Sequence, residues 1–438
     1  MSDREQNAIL QFLQERGVAT SVQIQQAIGK SQPSVSRLLA AMAGQVLALG
    51  RGRGARYAAP VNIGDAQAQQ PIWLIGLQGE SQRIGTLSLL ARGRLHIDAD
   101  NIDELFEGSL PWFLSSLRVQ GFLGRLMAQK LAPQGLAPNP EAWDLRGVLI
   151  AALRLHDAPG ALLIGHGNAG DRAAAPLLPG TDAELGAALD ALAFDVAQTL
   201  PAGSSAGGEQ PKFLAATHDG QHVLVKFSPP RGTPFGERWS DLLQAEQLCA
   251  EVLRRHGMAA AAGQLVQSKN RTYLVGERFD RIGARARKHV VALGAVHAAF
   301  VPGGYDGWAA SCEALARQGR LSEQDAQEAS CRQQFGRLIG NSDMHSGNLG
   351  LFAQGSNLFD IAKGRFALAP SYDMLPMRWR PDPATGLHDY GPFDTESIHA
   401  SAAARTAAHD FWTSLASHAG IGATLRWTAS EMAERMGV

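Results

Sequence analysis

Three cysteines in 438 residues, Cys249, Cys312 and Cys331, form no CxxC pair and are too few for a disulfide framework. They read as reduced structural thiols. Charge of one sign is also missing. With 40 Lys and Arg against 41 Asp and Glu, no overall field draws the chain to nucleic acid, and any such binding has to come from a local patch. No apolar run reaches the ~18–20 residues of a membrane helix. The opening MSDREQ is polar and acidic where a secretory signal is cationic and apolar. The cytoplasm is the expected location, with no membrane partner. The glycine-rich loop over residues 201–217 carries no GKS or GKT, which excludes a Walker loop there. ALLIGHGNAG offers Gly165, Gly167 and Gly170 behind a strand-like run, but Pro176 and Pro179 fall where a dinucleotide-binding fingerprint needs its helix. It reads as a glycine-rich turn.

What is present is an ordinary globular composition, 45% apolar and 18% charged, in a chain long enough for two or three domains. Its most informative stretch is QQFGRLIGNSDMHSGNLGLF, residues 333–352. GRLI reads as a buried helix end and LGLF as a short strand, so the polar residues between them sit on a tight loop held at both ends. Asp343 and Asn348 lie five positions apart on that loop. In kinase catalytic loops such an Asp takes up the substrate hydroxyl proton, and such an Asn helps hold a metal ion. Asp and Asn are also common turn formers, and the pair alone fits either reading.

At the N-terminus, Ile9, Phe12 and Leu13 mark one face of a first helix ended by Gly17. Thr20 or Ser21 can cap a second helix carrying Ile24, Ala27 and Ile28 on its apolar side. In SQPSVSRLLAAM, Ser31 suits an N-cap and Pro33 a first turn, while Val35, Leu38, Leu39 and Met42 recur at helical spacing. The opposite side carries Gln32, Ser34, Ser36 and Arg37. VLAL and RYAA then flank the turn RGRGA in a hairpin tipped by Arg51, Arg53 and Arg56. Three helices and a basic hairpin over residues 1–60 read as a winged helix-turn-helix, its third helix in the major groove and its arginines on phosphates of duplex DNA. A small dimerisation module is the other reading. Residues 61–71, rich in Ala, Gln and Pro, read as a linker.

Further on, PIWLIGLQ and RIGTLSLL read as paired strands around GESQ, LPWFLSSLRVQGFLGRLMAQKL as an apolar helix, and residues 181–200 as an amphipathic one. In PAGSSAGGEQPKFLAAT, Gly203, Gly207 and Gly208 with Ser204 and Ser205 make a loop whose N–H groups suit phosphates. Phe213–Ala216 and HVLVKF form a hairpin with Lys226 inside its second strand. A lysine there either meets nucleotide phosphates or snorkels from a sheet edge. A helix over about residues 238–255 puts Glu246 where it can pair with Lys226. RTYLVGERFDR, residues 271–281, runs like a kinase hinge, with backbone groups near Glu277 and Phe279 turned to a base. RFALAPSYDMLPM supplies a strand ending in Asp373, where kinases place a metal-holding carboxylate. In this order the features point to phosphoryl transfer.

The segments SSAGGEQPK, VLVKF, ERFDR, LIGNSDMHSGN and APSYDML resemble the HipA family of bacterial Ser/Thr protein kinases, toxins of type II toxin–antitoxin modules. The likeness covers about residues 72–380, and the winged helix in front resembles the YjjJ-type branch. It implies an α+β chain in which the head precedes a two-lobed, protein-kinase-like fold. A mixed α/β N-lobe would fall within residues 72–275 and a mainly helical C-lobe within 276–438. It further implies ATP and magnesium as cofactors, Asp343 as base, Asn348 and Asp373 on the metal, and Lys226 on the phosphates. Glu277, Phe279 and Tyr372 would meet the nucleotide, and Ser205 or Ser204 would be autophosphorylated. Family targets include aminoacyl-tRNA synthetases, and an antitoxin partner and a homodimer on a pseudo-palindromic operator belong to the same picture. Two departures stand out. HSGN replaces the HxKN of many members, so Gly347 removes a cation near the phosphates, and Pro211 stiffens the loop exit before Lys212. The alternative function is a DNA-binding transcriptional regulator whose kinase-like body only senses nucleotide.

Overall fold

Ile9 and Leu13, four residues apart and fully buried, fix the inner face of α1 (Ser2–Arg16), which Gly17 ends at φ +87°. The computed structural model describes residues 2–50, 54–155, 157–165, 175–199, 210–382 and 384–437. Arg51, Arg53, Gly203, Ser204, Ser205, Gly207 and Gly208 lie outside the described residues. After α1 come β1 (Val18–Thr20), α2 (Ser21–Ile28), α3 (Gln32–Ala41), β2 (Leu47–Leu49) and β3 (Arg56–Ala58). Thr20 caps α2 in a reciprocal box with Gln23, and Pro33 sits in the first turn of α3. Val35, Leu39 and Met42 close the core against Ile9, Leu13 and Ile24. Ala27, expected on this face, is exposed, because two-turn α2 buries Ile24 alone. The three strands pair antiparallel in the order β1-β3-β2.

The expected linker, residues 61–71, is packed structure instead. The Val61 N–H donates to the Leu89 carbonyl at 2.9 Å and the Leu89 N–H to the Ala68 carbonyl at 3.0 Å. Ile63 and Ala68 are buried, and β4 (Gln69–Ile75) begins inside the segment. Backbone hydrogen bonds hold it, and these leave no mark in side-chain composition.

With β4, the strands β5 (Ser81–Leu90), β6 (Arg94–Ala99), β7 (Ile102–Glu107) and β8 (Leu162–Ile164) form an antiparallel sheet in the order β7-β6-β5-β4-β8. The single helix expected from LPWF onward is two pieces, a 3-10 turn at Trp112–Leu117 and α4 (Gly121–Leu131). Arg118 is extended and Gly121 takes φ +59°, which breaks the helical path between them. α5 (Leu145–Leu153), capped by Asp144, and α6 (Asp182–Thr199) follow.

β9 (Lys212–Ala216), β10 (His222–Phe227), α7 (Pro234–Arg255), β11 (Gly263–Gln267) and β12 (Thr272–Glu277) come next, the strands ordered β11-β12-β10-β9. Alternation along β10 sends Val223, Val225 and Phe227 into a core with Phe213, Tyr273, Leu185 and Leu189. The rest is β13 (Arg281–Ile282), β14 (Ala286–Arg287), β15 (Val290–Ala292), α8 (Leu293–Phe300), α9 (Trp308–Arg317), α10 (Glu323–Leu338), β16 (Gly350–Ala353), α11 (Leu358–Ala362), β17 (Phe366–Leu368), α12 (Ala402–Ser417) and α13 (Ala423–Arg435). α10 ends as Gly340 takes φ +77°, and β16 pairs between β15 and β17. One apolar cluster runs from Ile72 and Leu87 through Leu163 to Val291, Phe335 and Trp412, joining the five-stranded sheet to the C-terminal helices. Among the described residues, no helix is long and apolar enough to cross a membrane.

Candidate active site

Because its neighbours on β10 face the apolar core, Lys226 projects from the opposite side of the strand, and it is buried. Its Nζ pairs with Glu246 of α7 and with Asp373. Burial disfavours the ammonium, but the two carboxylates, Asp373 ahead of Glu246, more than offset it and hold Lys226 charged. Burial alone would push the Asp373 carboxyl up. Lys226 and then Lys212, its cross-strand partner on β9, hold it well below the usual range. Glu246 is raised by burial, and its Oε2 is buried without a hydrogen-bond partner among the described residues.

Asp373 does not end a strand. β17 stops at Leu368, since Pro370 has no N–H to continue a ladder. The chain then turns, and Asp373 takes φ +51°, a left-handed conformation uncommon outside glycine. Several bonds impose this turn. The Ser371 N–H donates to Ala259 O at 2.9 Å, the Ala261 N–H to Ser371 O at 2.9 Å, and the buried Arg332 to Ala369 O at 2.7 Å.

The Asp343 loop is fixed in the same manner. The Asp343 N–H donates to Asn341 Oδ1 at 2.9 Å, and Asn348 Nδ2 donates to the Asp343 carbonyl at 2.8 Å. That donation settles the amide: the Asn348 oxygen remains an acceptor. Trp308 holds the His345 carbonyl at 3.0 Å, and Tyr372 Oη holds the Gly347 carbonyl at 2.7 Å. Asn341 Nδ2 reaches the Asp373 carbonyl at 3.5 Å, so one buried amide touches both loops. The Asp343 side chain is 39% exposed, with His345 Nε2 4.0 Å from its Oδ1. No contact joins Asp343 directly to Lys226 or Asp373 among the described residues.

Phe279 stacks on Tyr372 at 5.6 Å with the rings 31° apart, and Phe352 meets its edge at 5.9 Å. Glu277 is exposed, and its N–H is committed to Ala262 O at 2.7 Å. Lys226, Glu246, Asp373, Phe279 and Tyr372 gather at one place. Asn341, Lys212 and His345 join them without having been singled out by the sequence, although Asn341 and His345 flank Asp343 by two positions each.

The donors suit a nucleotide and a hard cation. Among the described residues no three His, Cys, Asp or Glu converge as a metal site, but the Asn348 amide oxygen and the Asp373 carboxylate are the oxygen donors magnesium accepts. Lys226 is a buried cation that could meet a phosphate from its place between Glu246 and Asp373. An open groove of about 860 Å³ between α7 and α12, lined by Glu251, Arg254, Arg255 and His418, shares no residue with this cluster.

On the head, Gln32, Ser36 and Arg37 of α3 are exposed and Ser34 is half-buried, its hydroxyl 3.1 Å from that of Ser31. Arg56, which opens β3 at the turn end of the β2–β3 hairpin opposite Leu49, is half-buried.

Residues 204–437 match the HipA-like C-terminal domain and residues 66–172 the YjjJ-like toxin middle domain. Toxin YjjJ of Escherichia coli K12 is 34% identical over 440 residues, covering 96% of this chain and 95% of that protein. In fold, the chain resembles one from the Shewanella oneidensis MR-1 toxin–antitoxin complex of HipA, HipB and its operator DNA. That match has a TM-score of 0.54 and 14% identity, over 84% of this chain and 96% of that one. The Helicobacter pylori proinflammatory kinase CtkA overlaps 52% of this chain and 91% of that one at a TM-score of 0.33 and 12% identity, too slight a likeness to bear on the fold. The chain belongs to the HipA-like family, in the branch represented by toxin YjjJ.

Proposed function

We propose that this chain is a Ser/Thr protein kinase that uses ATP and magnesium, acts on a cellular protein and on itself, and carries its own DNA-binding head. The observation that supports this most is the Lys226–Glu246–Asp373 cluster, joined to the Asp343 loop through Asn341. Kinase chemistry asks for a lysine held by a helix glutamate, a metal-holding Asp, and an Asp–Asn loop for the nucleophile. All of these residue types occur here, in the chain order Lys226, Glu246, Asp343 with Asn348, and Asp373. Lys226 would take the nucleotide phosphates, and the Asn348 oxygen and Asp373 would hold the ion. Bound nucleotide and its ion would supply the phosphoryl group and the charge that neutralises it. Asp343, the exposed member, would orient the acceptor hydroxyl and take its proton. Phe279 and Tyr372 would receive the base.

Ser205 or Ser204 is the expected site of autophosphorylation. A phosphate there adds about −1.5 to −2 charges and would repel the nucleotide phosphates, switching the enzyme off. The head supports a winged helix-turn-helix in which Gln32, Ser34, Ser36 and Arg37 read the groove while Arg51, Arg53 and Arg56 meet phosphates. The Shewanella HipA complex contains HipB and operator DNA; here the DNA-binding part would lie in the same chain, with a homodimer supplying two half-sites. Incubation of the purified chain with ATP and magnesium tests the reading. Peptide mass spectrometry should place phosphate on Ser205 or Ser204, and a chain left unmodified at both would defeat the self-phosphorylation reading.

A further inference from the structure

Four charged side chains meet inside the molecule, between the segment that precedes β8 and the connection that follows β12. Asp157 Oδ1 accepts from Arg281 Nη2 at 2.6 Å, and its Oδ2 pairs with Arg278 Nη1 at 2.7 Å. Asp280 Oδ2 accepts from Arg281 at 2.6 Å, from Arg278 at 3.0 Å and from the Gly160 N–H at 2.8 Å. Arg281 also donates to the Ala158 carbonyl at 2.7 Å. Arg278, Asp280 and Arg281 are each less than a tenth exposed, and Asp157 is 24% exposed. The two approaching segments are very close: Gly160, at φ +79°, leaves room for no side chain, since a Cβ there would lie 2.9 Å from His289.

A buried ion quartet is a weak source of stability, because desolvation offsets much of the attraction. Its geometric effect is stronger, as each guanidinium fork fixes two oxygens at once. The fixed object here is Phe279. Its two chain neighbours, Arg278 and Asp280, are both in the quartet, and its own ring lies on Tyr372. Asp157 comes from the YjjJ-like middle domain, whereas the other three belong to the HipA-like domain.

We propose that Asp157 makes the middle domain part of the nucleotide site, as a positioning residue that clamps the chain on both sides of Phe279 and so holds the Phe279–Tyr372 stack ready for a purine base. This rests on the kinase reading. It makes nucleotide affinity depend on a residue more than sixty positions before Lys226, in a different domain.

The test uses the full chain with Asp157→Asn, and with the charge-neutral pair Asp157→Asn/Arg281→Gln in case the single change does not fold. Asp144→Ala, which removes the cap of α5 in the same middle domain, is the control for general destabilisation. Hydrogen exchange of residues 276–282 is measured without ligand, and binding of a fluorescent ATP analogue is measured by titration. The clamp predicts faster exchange in this segment and roughly tenfold weaker nucleotide binding in the Asp157 variants, with kcat little changed at saturation and the control like wild type. Faster exchange with unchanged affinity, or equal losses in Asp144→Ala, would overturn the clamp and leave the kinase reading intact. A wild-type chain that binds no nucleotide overturns both.

Discussion

At the centre of the C-terminal region, Lys226 is buried between two carboxylates that hold it charged, whereas on the head Gln32, Ser36 and Arg37 stand in solvent along α3. Among the described residues, Arg37 has only a long hydrogen bond, 3.4 Å, to the Pro33 carbonyl of its own helix. The buried lysine is pinned to one geometry by Glu246 and Asp373, the preorganisation that the proposed phosphoryl transfer would call for. The exposed groups are free to move to a phosphate or a base edge, and their field is local and screened by salt. The same contrast separates what a mutation would do in each place.

The largest difference is expected for Lys226→Met against Arg37→Ala. Removing the lysine strands Glu246 in the interior and leaves half-buried Asp373 without its partner, and breaking a buried pair costs about 3–5 kcal/mol. Arg37→Ala should stay within about 0.5 kcal/mol of wild type. Denaturant unfolding of the two variants checks this, and equal stabilities would show that the Lys226 cluster is open to water.

A second buried group gives the next effect. His289 hydrogen-bonds Phe113 O at 2.9 Å and lies 3.4 Å from the Ala161 N–H, and burial lowers its pKa from 6.5 to about 4. The unfolded chain therefore takes up the proton first. Stability is intact above the unfolded value and falls as pH drops from about 6.5 toward 4, by about 3 kcal/mol over the whole window. Unfolding free energies from pH 7 to pH 4.5 should slope accordingly, and His289→Gln should flatten the slope. No group on α3 of the head predicts such a slope.

The smallest effects on stability belong to the hairpin arginines, whose removal should register in DNA binding alone. Each arginine that neutralises a phosphate adds roughly 0.9 to the salt slope of log affinity. Replacing Arg51, Arg53 and Arg56 by alanine should flatten that slope by up to about three units and weaken all sequences alike, while Arg37→Ala should relax the preference among sequences. A headless chain that binds duplex DNA as well as the full one would assign the head another task.

Much of this was legible in the sequence where pattern and chemistry coincide. The alternation Val223, Val225, Phe227 already demands that Lys226 face away from the core, and the apolar runs around Asp343 and Asn348 already define a loop tied at both ends. Other parts left no such trace. β6 and β7 carry Asp and Glu, which strands disfavour, and their neighbours in the sheet stabilise them instead. Residues 61–71 are held through backbone groups. Asp157 meets Arg281 across 124 positions, a distance over which no spacing rule speaks. Asp373 was placed by its chemistry, but the turn that presents it follows from Pro370 and from bonds to Ala259, Ala261 and Arg332.

The central claim is that Asp343 and Asp373 serve one phosphoryl-transfer site, and the rate of ADP release with ATP and magnesium tests it most directly. The account predicts turnover in the wild type and a loss of at least about 100-fold in Asp343→Ala and in Asp373→Ala, with both variants folded and ATP binding better preserved in the first. Near-wild-type turnover in either variant would contradict it.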